Sequence, residues 1–256
     1  MLKHILKLFV ELTGNRFVSS ILANFTASKY SKFLVPVFAS VYKLKQEEMR
    51  EPLPTYGSLK ALFTRQLKEE VRPVDLTKAT AVSPVDGVVN DYGSIQNGTA
   101  ISVKGKTLSI DELLGSKDKA TPYHGGSYIV LYLSPQHYHR IHSPVDGKIM
   151  NSYSLGGKSY PVNKLGLKYG NRPLSTNYRR ISEVNTEFGY CAVVKVGALN
   201  VNSIHLTYKD TNMVKGQEMA YFSFGSTVIL LFESPLDTEL AIGHEIKVGE
   251  RIGLMA

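Results

Sequence analysis

The sequence predicts an α+β protein: helices to about residue 70, then a β-rich domain built from two pseudo-repeated halves. Three observations predict it. Apolar residues recur at three- and four-residue spacing from Leu2 to Val10, at the start of a stretch that reads as helical to about residue 70, and after Arg72-Pro73 short β-rich runs appear. A seven-residue turn motif then occurs twice, sixty positions apart. The composition, 43% hydrophobic and 20% charged over 256 residues, belongs to a folded globular chain and excludes disorder, collagen and coiled coil.

In the helical part, Leu2, Ile5, Leu6, Phe9 and Val10 share one face of a predicted helix over 2–13, with Lys3, Lys7 and Glu11 elsewhere on the wheel. Further helices are predicted over 17–28, 30–48 and 58–68, separated by Gly14-Asn15 and by the stretch from Pro52 to Gly57. The first 50 residues carry eight Lys or Arg against three Glu, a large part of the net charge of +8. Such a surplus suits an anionic partner: nucleic acid, phosphate or an acidic membrane surface. An amphipathic helix with a basic side either lies in a membrane interface or packs on the core, and the spacing alone allows both. The longest apolar stretch, Phe33 to Tyr42, is too short to span a bilayer, contains Pro36 and is flanked by lysines. Lys7 and Glu11 interrupt the only candidate secretory segment, so no export is expected.

In the β-rich part, 127–133, 191–196 and 227–232 read as strands bounded by Gly, Pro, Asn and Asp turns. Cys191, the single cysteine, lies within one of them; it can form no intramolecular disulfide, and a reducing compartment follows as the default. The repeated motif is Ser83-Pro84-Val85-Asp86-Gly87-Val88-Val89 and Ser143-Pro144-Val145-Asp146-Gly147-Lys148-Ile149. Proline fixes φ, aspartate bonds nearby backbone N–H groups, and glycine supplies unusual dihedrals before the apolar alternation resumes. These turns resemble those of barrel-sandwich hybrid folds such as biotinyl and lipoyl domains, which implies two β-layers. Neither turn carries a lysine for a carrier cofactor.

Two segments could carry chemistry. His137, His139 and His142 cluster before the second turn and allow three readings: a metal site, a proton-transfer site, or structural hydrogen bonding. No well-spaced carboxylate or cysteine signals a fourth metal ligand. The second segment, Phe222-Ser223-Phe224-Gly225-Ser226-Thr227-Val228, is a small-residue step into an apolar strand and lacks the Gly-x-Ser-x-Gly pattern of a hydrolase elbow.

Taken together, these segments resemble the phosphatidylserine decarboxylase family, whose members are pyruvoyl-dependent and membrane-associated. The resemblance rests on Phe63-Thr64-Arg65-Gln66-Leu67-Lys68 with Arg72-Pro73, on Ser83 to Gly87, and on Leu133-Ser134-Pro135 through Tyr138-His139-Arg140-Ile141-His142. It continues through Pro161-Val162-Asn163, Val196-Gly197-Ala198 and Phe224-Gly225-Ser226-Thr227. Tyr178 stands where a glutamate is common, and Asn202 and Ala220 where glycine is usual.

The resemblance implies self-cleavage between Gly225 and Ser226. Ser226 attacks the Gly225 carbonyl, His142 acts as base and Asp86 orients the imidazole. β-Elimination of the resulting ester frees a large chain 1–225 and leaves a dehydroalanine on a small chain 226–256, which hydrolyses with loss of ammonia to a covalent pyruvoyl group derived from Ser226. The pyruvoyl then forms a Schiff base with phosphatidylserine, CO2 departs, and phosphatidylethanolamine is released. His139 is implied to assist binding, decarboxylation or reprotonation, and no metal is needed. Also implied are a peripheral position on the cytoplasmic face of the cell membrane, an anionic membrane surface as partner, no nucleic acid, and an allowed homo-oligomer. The division expected is 1–70 as a helical membrane-associating region and 71–256 as the catalytic domain. Two rival readings are a noncatalytic lipid-binding module and a pyruvoyl decarboxylase acting on a soluble amino acid.

Overall fold

A computed structural model describes residues 16–95, 100–103, 106–198, 203–223 and 226–255. The helix expected over 2–13 lies outside the described residues, as does Gly225. Helix α1 (Arg16–Ala27) falls where the apolar spacing places it. The single helix expected over 30–48 is instead a 3-10 segment, Lys29–Leu34, followed by α2 (Val35–Val41) and a 3-10 turn at Gln46–Glu48. Pro36 is the cause at one end: lacking an N–H, it is tolerated only in a first turn, so a fresh helix begins around it. At the other end Lys43 adopts the left-handed conformation (φ 50°), and the Leu44 N–H closes on the Ala39 carbonyl at 2.9 Å.

The last expected helix, over 58–68, is also shorter. In α3 (Leu59–Phe63) the Ser58 hydroxyl caps the N-terminus by accepting from the Ala61 N–H. It ends early because Arg65 turns away to donate to the carbonyls of Gln136 (2.8 Å) and His137 (3.1 Å), and Leu67 bridges to Met49. Tertiary bonds have outcompeted helix propensity. A small core of Val35, Ala39, Leu44, Met49, Tyr56 and Leu62 holds these helices together.

From residue 80 the chain is mainly strand: β1 (Thr80–Val82), β2 (Gly87–Ser94), β3 (Ala100–Val103), β4 (Lys106–Ser109), β5 (Ser127–Leu133) and β6 (Arg140–His142). There follow β7 (Gly147–Leu155), β8 (Arg179–Thr186), β9 (Gly189–Gly197), β10 (Ile204–Leu206) and β11 (Asn212–Met213). The chain closes with β12 (Glu218–Phe222), β13 (Ser226–Phe232), β14 (Leu236–Asp237), β15 (Glu245–Ile246) and β16 (Arg251–Met255). The main sheet is open and antiparallel in the order β11-β7-β8-β9-β13-β5-β2-β15, with no closed barrel among the described residues. Its central strands are apolar on both faces because both are covered. One face, with Leu131, Val193, Val228 and Leu230, packs against two three-stranded sheets, β1-β16-β14 and β10-β12-β6. The other, with Val130, Val194, Ile229 and Leu231, packs against helices Ile110–Leu114 and Lys117–Ala120.

The two repeated turns lie back to back. The Val82 N–H donates to the Pro144 carbonyl (3.0 Å) and the His142 N–H to the Pro84 carbonyl (2.8 Å). In each turn the serine hydroxyl donates to a carbonyl two residues on, Ser83 to Val85 and Ser143 to Val145, both at 2.7 Å. Each aspartate Oδ1 accepts a distant backbone N–H, Asp86 from Val248 (2.9 Å) and Asp146 from Lys215 (2.8 Å).

Lys195 lies within β9, fully buried, with Nζ donating to the Ser182 hydroxyl (2.9 Å) and the Val193 carbonyl (3.1 Å). Burial, aided by the charge of Arg180, lowers its pKa to about 7. The unfolded chain, with an ordinary lysine, then binds more protons than the folded one above about pH 7, so stability rises with pH until the unfolded lysine also titrates near pH ~10.4. Lys195→Met should remove that rise, and should stabilise the protein at pH 7 by on the order of a few kcal/mol. Denaturant midpoints of both proteins at two pH values check this; parallel pH dependence would count against a depressed lysine.

Candidate active site

Ser226 opens β13, the central strand, where it faces Leu133 of β5 on one side and Gly197 of β9 on the other. By strand alternation it points to the same face as Val228 and Leu230, into the core beneath the small sheets. It is completely buried, and its hydroxyl has no hydrogen-bond partner among the described residues. Such a group is costly unless something else uses it.

His139 reaches the same region by backbone register: its carbonyl accepts the Phe222 N–H at 2.9 Å, four residues before Ser226. Its ring is fully buried and lies 3.8 Å, centroid to centroid, from that of Phe63 at the end of α3. Nδ1 donates to the His137 carbonyl (2.9 Å), which leaves the lone pair on Nε2, and Nε2 has no partner among the described residues. Burial first, and the neighbouring Arg65 charge second, hold the pKa well below the ordinary histidine value. The environment of His139 thus favours the neutral imidazole, with Nε2 unpartnered among the described residues.

Asp86 and His142 belong to a second cluster. Arg72 grips both Asp86 oxygens through Nε and Nη2, with Nε–Oδ1 at 2.8 Å, and the same Nη2 reaches Glu48 at 2.7 Å. Burial would lower the Arg72 pKa, but these carboxylates outweigh it and push it up. His142 donates from Nδ1 to the Gly216 carbonyl (2.7 Å), and its Nε2 faces the Tyr138 hydroxyl at 3.3 Å. Burial lowers its pKa, with the Gly216 bond and the charges of Glu218 and Asp86 working the other way.

Thus Asp86 and His142 occupy adjoining turns, yet no hydrogen bond joins them, and none joins His142 to Ser226. In this structure the His142 ring bonds the Gly216 carbonyl, and Asp86 acts on it through its charge. The three clustered histidines are each committed differently: the His137 Nδ1 accepts from the Ser134 N–H (3.0 Å), and the rings of His139 and His142 bond separate carbonyls. Among the described residues no three His, Cys, Asp or Glu side chains form a metal-binding group.

A cleft of about 450 Å³ opens over Asp86, lined also by Lys43, Lys45, Arg65, Tyr138 and Lys247, so it connects this cluster with the end of α2. Sequence reading assigned no role to Arg72 or Tyr138. The Arg72-Pro73 pair was visible, but a partner fourteen residues away is set by tertiary packing rather than local pattern.

Comparison with known proteins bears on this site. The model of the phosphatidylserine decarboxylase family matches residues 59–254. Over 258 residues the chain is 51% identical to the phosphatidylserine decarboxylase proenzyme of Geobacillus sp. (strain WCH70), covering 100% of both. It is 51% identical over 259 residues to that of Anoxybacillus flavithermus, covering 100% of this chain and 98% of the relative. With the proenzyme of Bacillus cereus (strain 03BB102) it shares 48% identity over 255 residues, 98% of this chain and 97% of the relative.

Proposed function

Since the chain belongs to the phosphatidylserine decarboxylase family, we propose that it cuts itself between Gly225 and Ser226 and then converts phosphatidylserine to phosphatidylethanolamine and CO2. The observation that carries this reading is the Ser226 hydroxyl, buried and unpartnered at the head of the central strand. In the proposed cleavage, Ser226 is the nucleophile and His142 the base. The Nδ1–H tautomer that bonds Gly216 leaves the lone pair on His142 Nε2, which exchanges its contact with the Tyr138 hydroxyl for the Ser226 proton, and the nearby Asp86 charge favours the imidazolium that forms. His139 is assigned to the lipid reaction, where its neutral ring can accept and return a proton at Nε2.

The surroundings of Ser226 fit a pyruvoyl group: the side chain lies in a dry apolar core, and replacing it breaks no hydrogen bond among the described residues. Such a group supplies an electron-accepting carbonyl for decarboxylation. The chain's own residues exclude water around it, through Leu133, Phe222 and Val228.

The membrane-facing part of the reading is supported by an apolar stripe. Ile21, Phe25, Tyr30, Phe33, Val37 and Val41 are exposed, Phe33 by 68% and Val41 by 67%, with Lys29 and Lys32 beside them. No described helix is long and apolar enough to cross a membrane. We assign this stripe to the acyl boundary of an anionic membrane at its cytoplasmic face, with residues 1–70 as the associating region and 71–256 as the catalytic domain. Burying two such side chains contributes roughly 1.5–3 kcal/mol each when complete. Phe33→Ser with Val37→Ser should weaken sedimentation with anionic vesicles about tenfold or more while leaving self-cleavage intact, and equal sedimentation would remove the stripe from the reading.

The paired bonds of the two Ser-Pro-x-Asp-Gly turns support a further architectural proposal, that two pseudo-equivalent halves form a barrel-sandwich-hybrid-like pair of layers. In both halves the strand after the turn pairs with a two-residue strand in the same register, Val88 with Glu245 and Lys148 with Asn212.

Intact-mass measurement tests the central claim. Two chains, 1–225 and 226–256, are expected, the small one blocked at its N-terminus and lighter than the serine-bearing peptide. A single uncut chain with full activity on phosphatidylserine vesicles would refute it.

A further inference from the structure

Ser203 immediately precedes β10 and is completely buried, yet its hydroxyl has no hydrogen-bond partner among the described residues. It is placed from two directions. Its carbonyl accepts the Ser223 N–H at 2.8 Å and the Ser223 hydroxyl at 3.4 Å, so it is tied to the chain three residues before Ser226. Its hydroxyl lies against the face of Gly197, where a Cβ at that position would collide with it. Gly197 is the residue directly opposite Ser226 on β9.

Directly opposed residues of an antiparallel pair hold their Cβ atoms about 4.5–5.5 Å apart. The Ser203 hydroxyl fills the space a Gly197 side chain would take, on the face to which Ser226 also points. Two buried hydroxyls thus lie on one side of the sheet, next to the Ser226–Gly197 pair, and neither has a hydrogen-bond partner, the other included, among the described residues. A buried hydroxyl without a partner is destabilising, and native structures contain few of them, so two beside one strand pair call for an explanation.

We propose that Ser203 is a positioning residue for self-cleavage: its hydroxyl donates to the Ser226 side-chain oxygen and holds it in the rotamer that attacks the preceding peptide. The inference rests on the self-cleavage reading above. It assigns Ser203 no covalent step, since the Ser226 proton still leaves to the base. It also gives Gly197 a reason: any side chain there would collide with the Ser203 hydroxyl.

The test uses the full chain and follows cleavage by intact mass over time. Ser203→Ala should cut at least tenfold more slowly than wild type. The same change made in the uncut Ser226→Ala protein should leave the melting temperature unchanged or raise it, because an unsatisfied hydroxyl is removed. A merely structural serine predicts the opposite, a fall in melting temperature. Ser203→Thr and Ser203→Val, nearly equal in shape, separate hydroxyl from volume: Thr should cut close to the wild-type rate and Val as slowly as Ala. Wild-type cutting speed in Ser203→Ala, or equal slowing in Thr and Val, would overturn the proposal while leaving self-cleavage standing. A wild-type chain that is never cut would overturn both.

Discussion

Ser226→Ala should yield one folded, uncut chain with no decarboxylase activity, and this is the largest effect expected of any single substitution. Alanine keeps the backbone that pairs with Leu133 and Gly197, so the central strand is retained. What it loses is the only atom that can attack the preceding carbonyl in the proposed cleavage, and with it the precursor of the carbonyl group used on the lipid. Because the wild-type hydroxyl has no partner among the described residues, its removal should cost no stability. A gel and a thermal melt read both consequences. Two bands from this variant would show that cleavage proceeds without Ser226.

The second large effect separates the two histidines. General-base catalysis contributes roughly 10²–10⁴-fold, so His142→Ala should accumulate the uncut chain. His139→Ala should be cut and carry the blocked small chain, then fail in CO2 release, because its free Nε2 is assigned to the lipid. The pH dependence follows from the direction of the His142 shift. Burial lowers its pKa, so the cleavage rate should rise with pH through a value below the usual 6.5 and stay level above it. Uncut His139→Ala together with cut His142→Ala would exchange the roles, and loss of the same bound ion from both would restore the metal reading.

The strands were more legible in the sequence than the helices, and the reason is physical. The run from Ser127 to Leu133 and the run after Ser226 are long, β-branched and bounded by turns, and central strands covered on both faces have that pattern. The helix expected over 30–48 failed at Pro36 and at Lys43, the second of which no propensity foretells, since a lysine at positive φ is imposed by its surroundings. Of the candidate site, Ser226 and the histidines stand in local motifs and so are the part the sequence could propose. Arg72 on Asp86, Gly216 on His142 and Ser203 against Gly197 were not, because each pairing joins segments that only the sheet register brings together.

Strand β13 lies between β5 and β9 along all seven of its residues, while β15 and β16, further along the same segment, pair with β2 and β1. A cut before Ser226 therefore changes the molecularity of folding. An uncut chain folds as a first-order process, whereas two separated pieces must find each other, and the smaller must supply the strand between β9 and β5 in the main sheet. The melting midpoint of cut protein should then depend on its concentration, as for a heterodimer, and dilution after denaturation should leave it unable to recover. The proposed scission would thus be kinetically one-way: the native assembly would persist because it would never be required to form again from its parts.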